Sequence, residues 1–98
     1  MSKITKSAMG EECQMRLSGI CNGNQETTVF AHYRRGLMGG MGMKPEDLFG
    51  AYLCSNCHDV VDGRTKTEIS RFTLDSEFMS AVLRTQKILL RKGLIKEA

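Results

Sequence analysis

The 98-residue sequence predicts a small α+β domain in which two strands and a helix (ββα) are held by a four-cysteine metal site and covered by a C-terminal helix. Two observations lead to this prediction. A Cys-x-x-Cys-His sequence, Cys54 to His58, follows a short run of strand-forming residues, and the last third of the chain has the apolar spacing of a helix. Because a core of this size is modest, a metal site would add needed stability.

Composition restricts the class of protein. Hydrophobic residues make up 41% and charged residues 26%, which is typical of a folded globular chain. No apolar run approaches the roughly 20 residues of a membrane-spanning helix, and the N-terminus lacks the apolar segment of a secretory signal. We therefore expect a cytoplasmic protein with no membrane partner. In that reducing compartment, four cysteines are more readily metal ligands than disulfides.

The middle of the chain predicts the ββα unit, over about residues 27–63. Residues 27–33 are rich in β-branched and aromatic side chains and predict the first strand, and residues 50–53 predict the second. A helix should run from Ser55 to about Asp62 and end at Gly63, because glycine favours the backbone conformation that terminates helices.

The remaining segments surround this unit. We expect residues 1–10 to be a flexible N-terminal arm and residues 11–98 to form a single domain. Residues 34–43, which are rich in glycine and methionine, predict a loop. A C-terminal helix over about residues 75–92 should cover the core with an apolar face. That face comprises Phe78, Val82, Leu83, Gln86, Leu89 and Leu90.

Four cysteines, Cys13, Cys21, Cys54 and Cys57, can supply the closed four-thiolate shell of a structural zinc ion. Such a shell leaves no ligand position for chemistry. The two-residue gap between Cys54 and Cys57 is the stronger signal, and the seven-residue gap between Cys13 and Cys21 is looser. The alternative is that Cys13 or Cys21 is simply a buried apolar residue.

If sulfur saturates the zinc, both histidines are left for another role. His32 lies towards the end of the first predicted strand and His58 in the first turn of the helix. Packing of the strand against the helix could therefore bring both imidazoles into one cleft. Asp62, four residues after His58, shares its helix face, and that pair suits a divalent ion while His32 could act as a base. Alternatively, a histidine is structural or replaces a cysteine at zinc, and Asp62 caps the helix or pairs with Arg64.

Charge is unevenly distributed along the chain, whose net charge is +3. Residues 64–98 contain eight Lys or Arg against four acids, whereas residues 1–63 contain six against seven. The basic surplus in the C-terminal third can follow a phosphate backbone, although a solvated helix often carries a surplus of this size.

Several motifs together resemble a known family. In chain order they are Cys13 and Cys21, Ala31-His32, the glycine-rich loop, Lys44-Pro45-Glu46-Asp47, and Leu53-Cys54-Ser55-Asn56-Cys57-His58. This order resembles the zinc-bearing HNH, or His-Me finger, endonucleases, and the run from Glu12 to Arg64 is similar to the YbcO family of prophage-encoded nucleases. The resemblance implies a ββα-metal core with a four-cysteine zinc knot, acting on DNA.

The resemblance also implies roles for individual residues. His32 takes the place of the histidine that acts as general base on the attacking water. His58 takes the place of the histidine that binds a divalent ion, Mg²⁺ or Mn²⁺, at the scissile phosphate, with Asp62 as a possible second ligand. Arg34 or Arg35 would contact a phosphate oxygen.

The chain departs from the HNH pattern at two positions. Ala31 stands where many such nucleases have an acid, and residues 48–51 contain no counterpart of the middle asparagine. Metal binding would then depend on His58 with water, phosphate or Asp62. Two other functions stay open: a non-catalytic zinc-stabilised module that binds nucleic acid, and a zinc-stabilised protein-interaction domain with the methionine-rich loop as its contact surface.

Overall fold

Two antiparallel strands form the centre of the fold. The computed structural model describes residues 3–33 and 49–95, so the predicted glycine-rich loop at 34–43 lies outside the described residues. In chain order the elements are α1 (Lys3–Lys6), a 3₁₀ turn (Gln25–Thr27), β1 (Val29–His32), β2 (Gly50–Leu53), α2 (Ser55–Val61) and α3 (Arg71–Arg91). The predicted small α+β architecture is confirmed. None of the described helices is long and apolar enough to cross a membrane.

Strand β2 is buried along its whole length. One edge pairs with β1, in a register that places Val29 opposite Leu53 and His32 opposite Gly50. At the other edge, the Gln14 N–H donates to the Tyr52 carbonyl at 2.7 Å, and the Tyr52 N–H donates to Thr85 Oγ1 at 3.1 Å. These two bonds satisfy backbone groups that burial would otherwise leave unpaired.

The sheet separates two apolar clusters. Phe30 and Tyr52 point to one face, where they pack with Ala8 and Leu89. The opposite face carries the larger cluster, which includes most of the buried residues of α2 and α3 and three of the four cysteines. Its members are Cys13, Met15, Leu17, Ala31, Ala51, Leu53, Cys54, Cys57, Val60, Val61, Leu74, Phe78, Ala81 and Val82.

Helix α2 begins and ends close to the predicted positions. Cys54 is its N-cap, and the Cys54 sulfur accepts a hydrogen bond from the Cys57 N–H. Asp62 is the C-cap, and Gly63 follows with φ +79°, in the left-handed region that glycine adopts without strain.

Helix α3 begins earlier than predicted. Ser70 is its N-cap, with Oγ accepting from the Thr73 N–H at 3.1 Å, so the helix starts at Arg71 and not near residue 75. It ends at Arg91, just before Gly93, which has φ +73°. Its buried face comprises Leu74, Phe78, Ala81, Val82, Thr85 and Leu89.

Three residues of the predicted apolar face of α3 lie outside the core. Leu83 is 60% exposed, Leu90 is 39% exposed and Gln86 is partly exposed. At 100° per residue, Leu83 and Leu90 lie more than about 100° from the middle of the buried face. The prediction therefore merged two separate faces of one helix.

The N-terminal residues, expected to be a flexible arm, pack against the sheet in the structure. Lys3–Lys6 form α1, Ala8 is buried, and Ile4 contacts the cluster around Tyr52. Ser7 Oγ lies 2.7 Å from Tyr52 Oη. A buried tyrosine hydroxyl requires a polar partner, and Ser7 provides it.

Candidate metal centre and histidine cleft

The sulfur atoms of the four cysteines lie within 4.8 Å of one another. Cys21 Sγ and Cys54 Sγ are 3.8 Å apart. A tetrahedral zinc ion with bonds of about 2.3 Å separates its sulfur ligands by about 3.8 Å. Cys13, Cys54 and Cys57 are buried and Cys21 is partly exposed. The predicted proximity of the four cysteines is confirmed, and the geometry is compatible with a structural zinc.

Two of the cysteines, Cys13 and Cys54, each accept a hydrogen bond from a backbone N–H in the turn that follows them. The Arg16 N–H donates to Cys13 Sγ at 3.4 Å, and the Cys57 N–H donates to Cys54 Sγ, also at 3.4 Å. In both cases the donor lies three residues after the acceptor. Hydrogen bonds of this kind favour the charged thiolate, which is the form that binds metal.

The protonation chemistry of the four thiols also fits a cation. The hydrogen bond from the Cys57 thiol lowers the pKa of Cys13 to about 4. The same bond, together with burial, raises the pKa of Cys57 far above its usual value, and burial raises the pKa of Cys21. Without a cation, deprotonation of one thiol therefore disfavours deprotonation of its neighbours. A bound zinc ion would supply the positive charge that stabilises four thiolates.

Both histidines line one cleft, which has a volume of about 370 Å³ and is called the histidine cleft below. His32 enters from the end of β1, and His58 and Asp62 enter from α2. The lining residues are Phe30, Ala31, His32, His58, Val61, Asp62 and Phe78. The structure thus brings three of the sequence-predicted site residues together, while Arg34 lies outside the described residues.

His58 is held by two charged neighbours. Its Nε2 lies 3.2 Å from Asp62 Oδ2, and its Nδ1 lies 3.3 Å from Arg64 Nη2. Arginine can only donate, so Nδ1 accepts and Nε2 carries the proton shared with Asp62. The same Arg64 nitrogen lies 3.1 Å from Asp62 Oδ2 and 3.2 Å from Asp59 Oδ1. Asp62 therefore contacts His58 and pairs with Arg64 at once.

The position of His32 depends on a glycine that the sequence analysis did not single out as functional. The His32 ring packs edge to face on Phe30, with centroids 5.2 Å apart, and its cross-strand partner is Gly50. A Cβ atom added to Gly50 would overlap the Phe30 ring. The close approach of β2 to that ring is the reason for glycine here.

His32 does not join His58 and Asp62 in a single ligand set. Among residues 3–33 and 49–95, the cysteine cluster is the one group of three or more possible ligand side chains within metal-binding distance. The histidine cleft therefore offers a two-ligand pair, His58 with Asp62, and a separate imidazole.

A second concavity, the basic groove, has a volume of about 500 Å³ and lies along α3. Four basic side chains line it, Arg16, Arg84, Lys87 and Arg91, against the carboxylates of Glu11 and Glu12. Arg84 Nη1 donates to the Gln14 carbonyl at 2.7 Å, which fixes its guanidinium. The sequence showed the basic surplus but not its concentration at one groove.

The carboxylates of the basic groove are paired. Glu11 Oε2 lies 2.6 Å from Lys92 Nζ, and this bond raises the pKa of Lys92. Glu12 Oε2 lies 3.4 Å from Arg16 Nη2, in an exposed pair of small energetic value. The groove thus retains an excess of positive charge.

Comparisons with known proteins identify close relatives. The family model described as "Putative nuclease YbcO" matches residues 2–94. "Putative nuclease YbcO" of Escherichia coli (strain K12) and "Putative nuclease ybcO" of Enterobacteria phage 82 are each 43% identical over 96 residues, covering 98% of this chain and 99% of theirs.

A solved structure has the same fold. It is described as "Structure of a putative bacteriophage protein from Escherichia coli str. K-12 substr. MG1655", with a TM-score of 0.76 and 40% identity. The match covers 92% of this chain and 99% of the other. A family-model match over nearly the full length and relatives at 43% identity lead to one conclusion: the chain belongs to the YbcO family.

Proposed function

We propose that this protein is an HNH-type endonuclease that hydrolyses DNA phosphodiester bonds at the histidine cleft, with one catalytic divalent ion. The observation that carries the proposal is the convergence of His32, His58 and Asp62 on one cleft next to a buried cysteine cluster. The family description as a nuclease and the phage 82 relative support a phage- or prophage-encoded enzyme of this class. Within the domain, the proposed ββα-metal core lies at about residues 27–63.

His32 is the proposed general base. It lies at the end of β1, half-buried, where the strand and the Phe30 ring restrict its imidazole. A neutral imidazole nitrogen can accept a proton from water as the water attacks phosphorus. Its proposed role as a base is separate from the metal binding proposed for His58 and Asp62.

His58 and Asp62 are the proposed ligands of a Mg²⁺ or Mn²⁺ ion. Two neighbouring ligands of an octahedral ion with bonds of about 2.1 Å lie about 3 Å apart, and His58 Nε2 and Asp62 Oδ2 are 3.2 Å apart. Such an ion supplies positive charge beside the scissile phosphate. For Nε2 to serve as a ligand, the His58 ring proton would have to move from Nε2 to Nδ1, so Arg64 would no longer donate to Nδ1. Asp62 would have to exchange its contact with Arg64 for the ion.

The proposed zinc site has a positioning role outside the chemistry. Cys54 caps α2 and Cys57 lies in its first turn, so a metal bound to both sulfurs fixes the start of the helix. His58 is the next residue and Asp62 follows one turn later. Arg34 is proposed to contact a phosphate oxygen on the substrate.

Binding of nucleic acid without catalysis is a second candidate function, and the basic groove favours it. Arg84, Lys87 and Arg91 lie on one side of α3 and can contact successive phosphates. Phe78, which lines the histidine cleft, is nine residues from Lys87, about half a turn away around the helix axis. The groove and the cleft thus face different directions, and one could function without the other.

A plasmid-nicking assay tests the proposal. The wild-type protein should nick supercoiled DNA when Mg²⁺ or Mn²⁺ is added and should not nick without an added divalent ion, while its zinc content is the same in both conditions. His32→Ala should lower the rate by about 100-fold or more, since general-base catalysis supplies at least that factor. Val29→Ala, at an exposed position of the same strand, is the matched control and should keep its activity.

Two outcomes would reject the catalytic assignment. Unchanged nicking by folded His32→Ala would exclude His32 as the base. DNA binding without nicking in any divalent ion would favour the second candidate function.

A further inference from the structure

Helix α3 has an exposed apolar stripe that is separate from its buried face. Of the six large apolar residues that the described chain exposes, four lie on this helix. Phe72 is 81% exposed, Leu83 60%, Leu90 39% and Met79 38%. The core leaves these side chains uncovered although they occupy one side of a 21-residue helix.

The spacing of the stripe is that of a helix-packing seam. With Ser76 and Gln86 it occupies positions 72, 76, 79, 83, 86 and 90, called the outer seam below. The steps alternate between four and three residues, which is the apolar repeat of a coiled coil. At 100° per residue the six positions fall in a sector about 80° wide, centred about 130° from the middle of the buried face.

We propose that the outer seam is a dimerisation surface on which α3 of a second copy of this chain packs antiparallel. The order of apolar and polar positions along the seam is the same in both directions about Ala81. Phe72 then faces Leu90 of the other copy, Ser76 faces Gln86, and Met79 faces Leu83. A two-fold axis sets each residue of the seam opposite its counterpart in the other copy, so the seam is self-complementary when apolar residues face apolar residues and polar residues face polar ones.

The distribution of charged residues along α3 favours the antiparallel orientation. The first half of α3 carries Asp75 and Glu77 against Arg71, which pairs with Asp75 at 3.6 Å. The region from 84 to 92 carries four basic residues and no acid. Parallel packing would bring the two basic ends together, but antiparallel packing places each beside the acidic half of the other copy.

The size of the seam indicates a weak dimer. Phe72 and Leu90 are 18 residues apart, so the seam is about 27 Å long, and a helix is about 10 Å wide. This covers roughly 300 Å² per chain, below the roughly 800 Å² per partner of a stable interface. We therefore expect a dissociation constant on the order of 100 µM, and a monomer at assay concentrations.

Sedimentation equilibrium between about 10 and 1000 µM tests the proposal. The wild type should show a monomer–dimer equilibrium, and Leu83→Glu should weaken it about 30-fold by placing a carboxylate opposite Met79. Met9→Glu, which changes an exposed apolar residue outside α3, is the matched control and should dimerise normally. A wild type that is monomeric throughout, or equal dimerisation by folded Leu83→Glu, would overturn the proposal.

A charge-pair experiment tests the orientation. Phe72→Glu and Leu90→Lys should each weaken dimerisation, and the double variant should recover it at least to the wild-type level. In the antiparallel pair, each carboxylate introduced at position 72 faces the ammonium introduced at position 90 of the other copy. In a parallel pair, the double variant would instead place the two carboxylates together and the two ammonium groups together. It would then be weaker than either single variant, and that result would overturn the antiparallel assignment.

Both dimerisation experiments are independent of the proposed nuclease function. Neither involves nucleic acid or a divalent ion, and none of the substituted residues belongs to the histidine cleft. Failure to dimerise would therefore leave the nuclease proposal unaffected, and absence of nicking would leave the dimer proposal unaffected.

Discussion

The cysteine cluster and the histidine cleft share helix α2 but differ in exposure. Cys54 and Cys57 are fully buried, whereas the side chains of His58 and Asp62 are 28% and 46% exposed. A buried, four-sulfur shell can stabilise the fold but cannot admit a substrate. A partly exposed imidazole and carboxylate contribute less to stability but can reach a ligand. Adjacent residues of one helix thus take part in two different kinds of site.

The largest effect should follow from loss of a cysteine. Cys54→Ser removes a proposed zinc ligand but keeps a side-chain acceptor at the N-cap of α2, so its effect reports on the metal site. Structural zinc contributes roughly 10–16 kcal/mol in small domains, which matches or exceeds the roughly 5–15 kcal/mol by which a domain is stable. The variant should be unfolded by circular dichroism and contain no zinc. A folded, zinc-free Cys54→Ser protein would contradict a structural role for the cluster.

A smaller effect on stability is expected at Gly50, in the strand that pairs with His32. Gly50→Ala forces the Phe30 ring to move, which should lower the free energy of unfolding by about 1–3 kcal/mol. Because Phe30 packs in the cluster on the other face of the sheet from the cysteines, zinc content should stay at the wild-type level. Chemical denaturation together with zinc analysis measures both quantities. Loss of zinc in folded Gly50→Ala would show that the two sites are coupled.

Removal of the α3 cap should have a more modest effect. Ser70→Ala deletes the hydroxyl that accepts from the Thr73 N–H, and such caps contribute about 1 kcal/mol. The melting temperature should fall by a few degrees without a change in zinc content. Ser70→Asp, which keeps an acceptor at the N-cap, should retain wild-type stability. Equal destabilisation by both variants would argue against the capping role.

The smallest effect on stability is expected at Arg64, which is 59% exposed. Arg64→Gln should change the free energy of unfolding by less than about 1 kcal/mol, because exposed ion pairs are weak. It should alter the His58 tautomer population, since Arg64 donates to Nδ1 and thereby favours a proton on Nε2. Nitrogen-15 NMR of the His58 ring measures that population. An unchanged tautomer ratio would contradict the assigned hydrogen bond.

Local sequence signals are sufficient for much of the fold. The β-branched run before His32, the cysteine spacing and Gly63 predict β1, α2 and the helix end close to their observed positions. The predicted start of α3 is too late because it follows the acidic residues of the first half and misses the Ser70 cap. The two apolar faces of α3 are merged in the prediction because periodicity alone does not show which face the core covers.

The candidate site is predictable in its residues but not in its contacts. The cysteine count and the leftover histidines select Cys54, His32 and His58 from the sequence. The contact of Arg64 with His58 and the concentration of basic residues in the groove depend on tertiary structure. The packing of the N-terminal residues also depends on tertiary structure, because Ser7 bonds to the buried hydroxyl of Tyr52, which is 45 residues away in the chain.

The most direct test compares the neighbouring residues Cys57 and His58. Cys57→Ser and His58→Ala would each be measured for zinc content, thermal unfolding and plasmid nicking. We predict that Cys57→Ser loses zinc and folding, whereas His58→Ala keeps one zinc per chain and a near-native melting temperature but loses nicking. Loss of zinc from His58→Ala, or full nicking by that variant, would contradict the division of structural and chemical roles within α2.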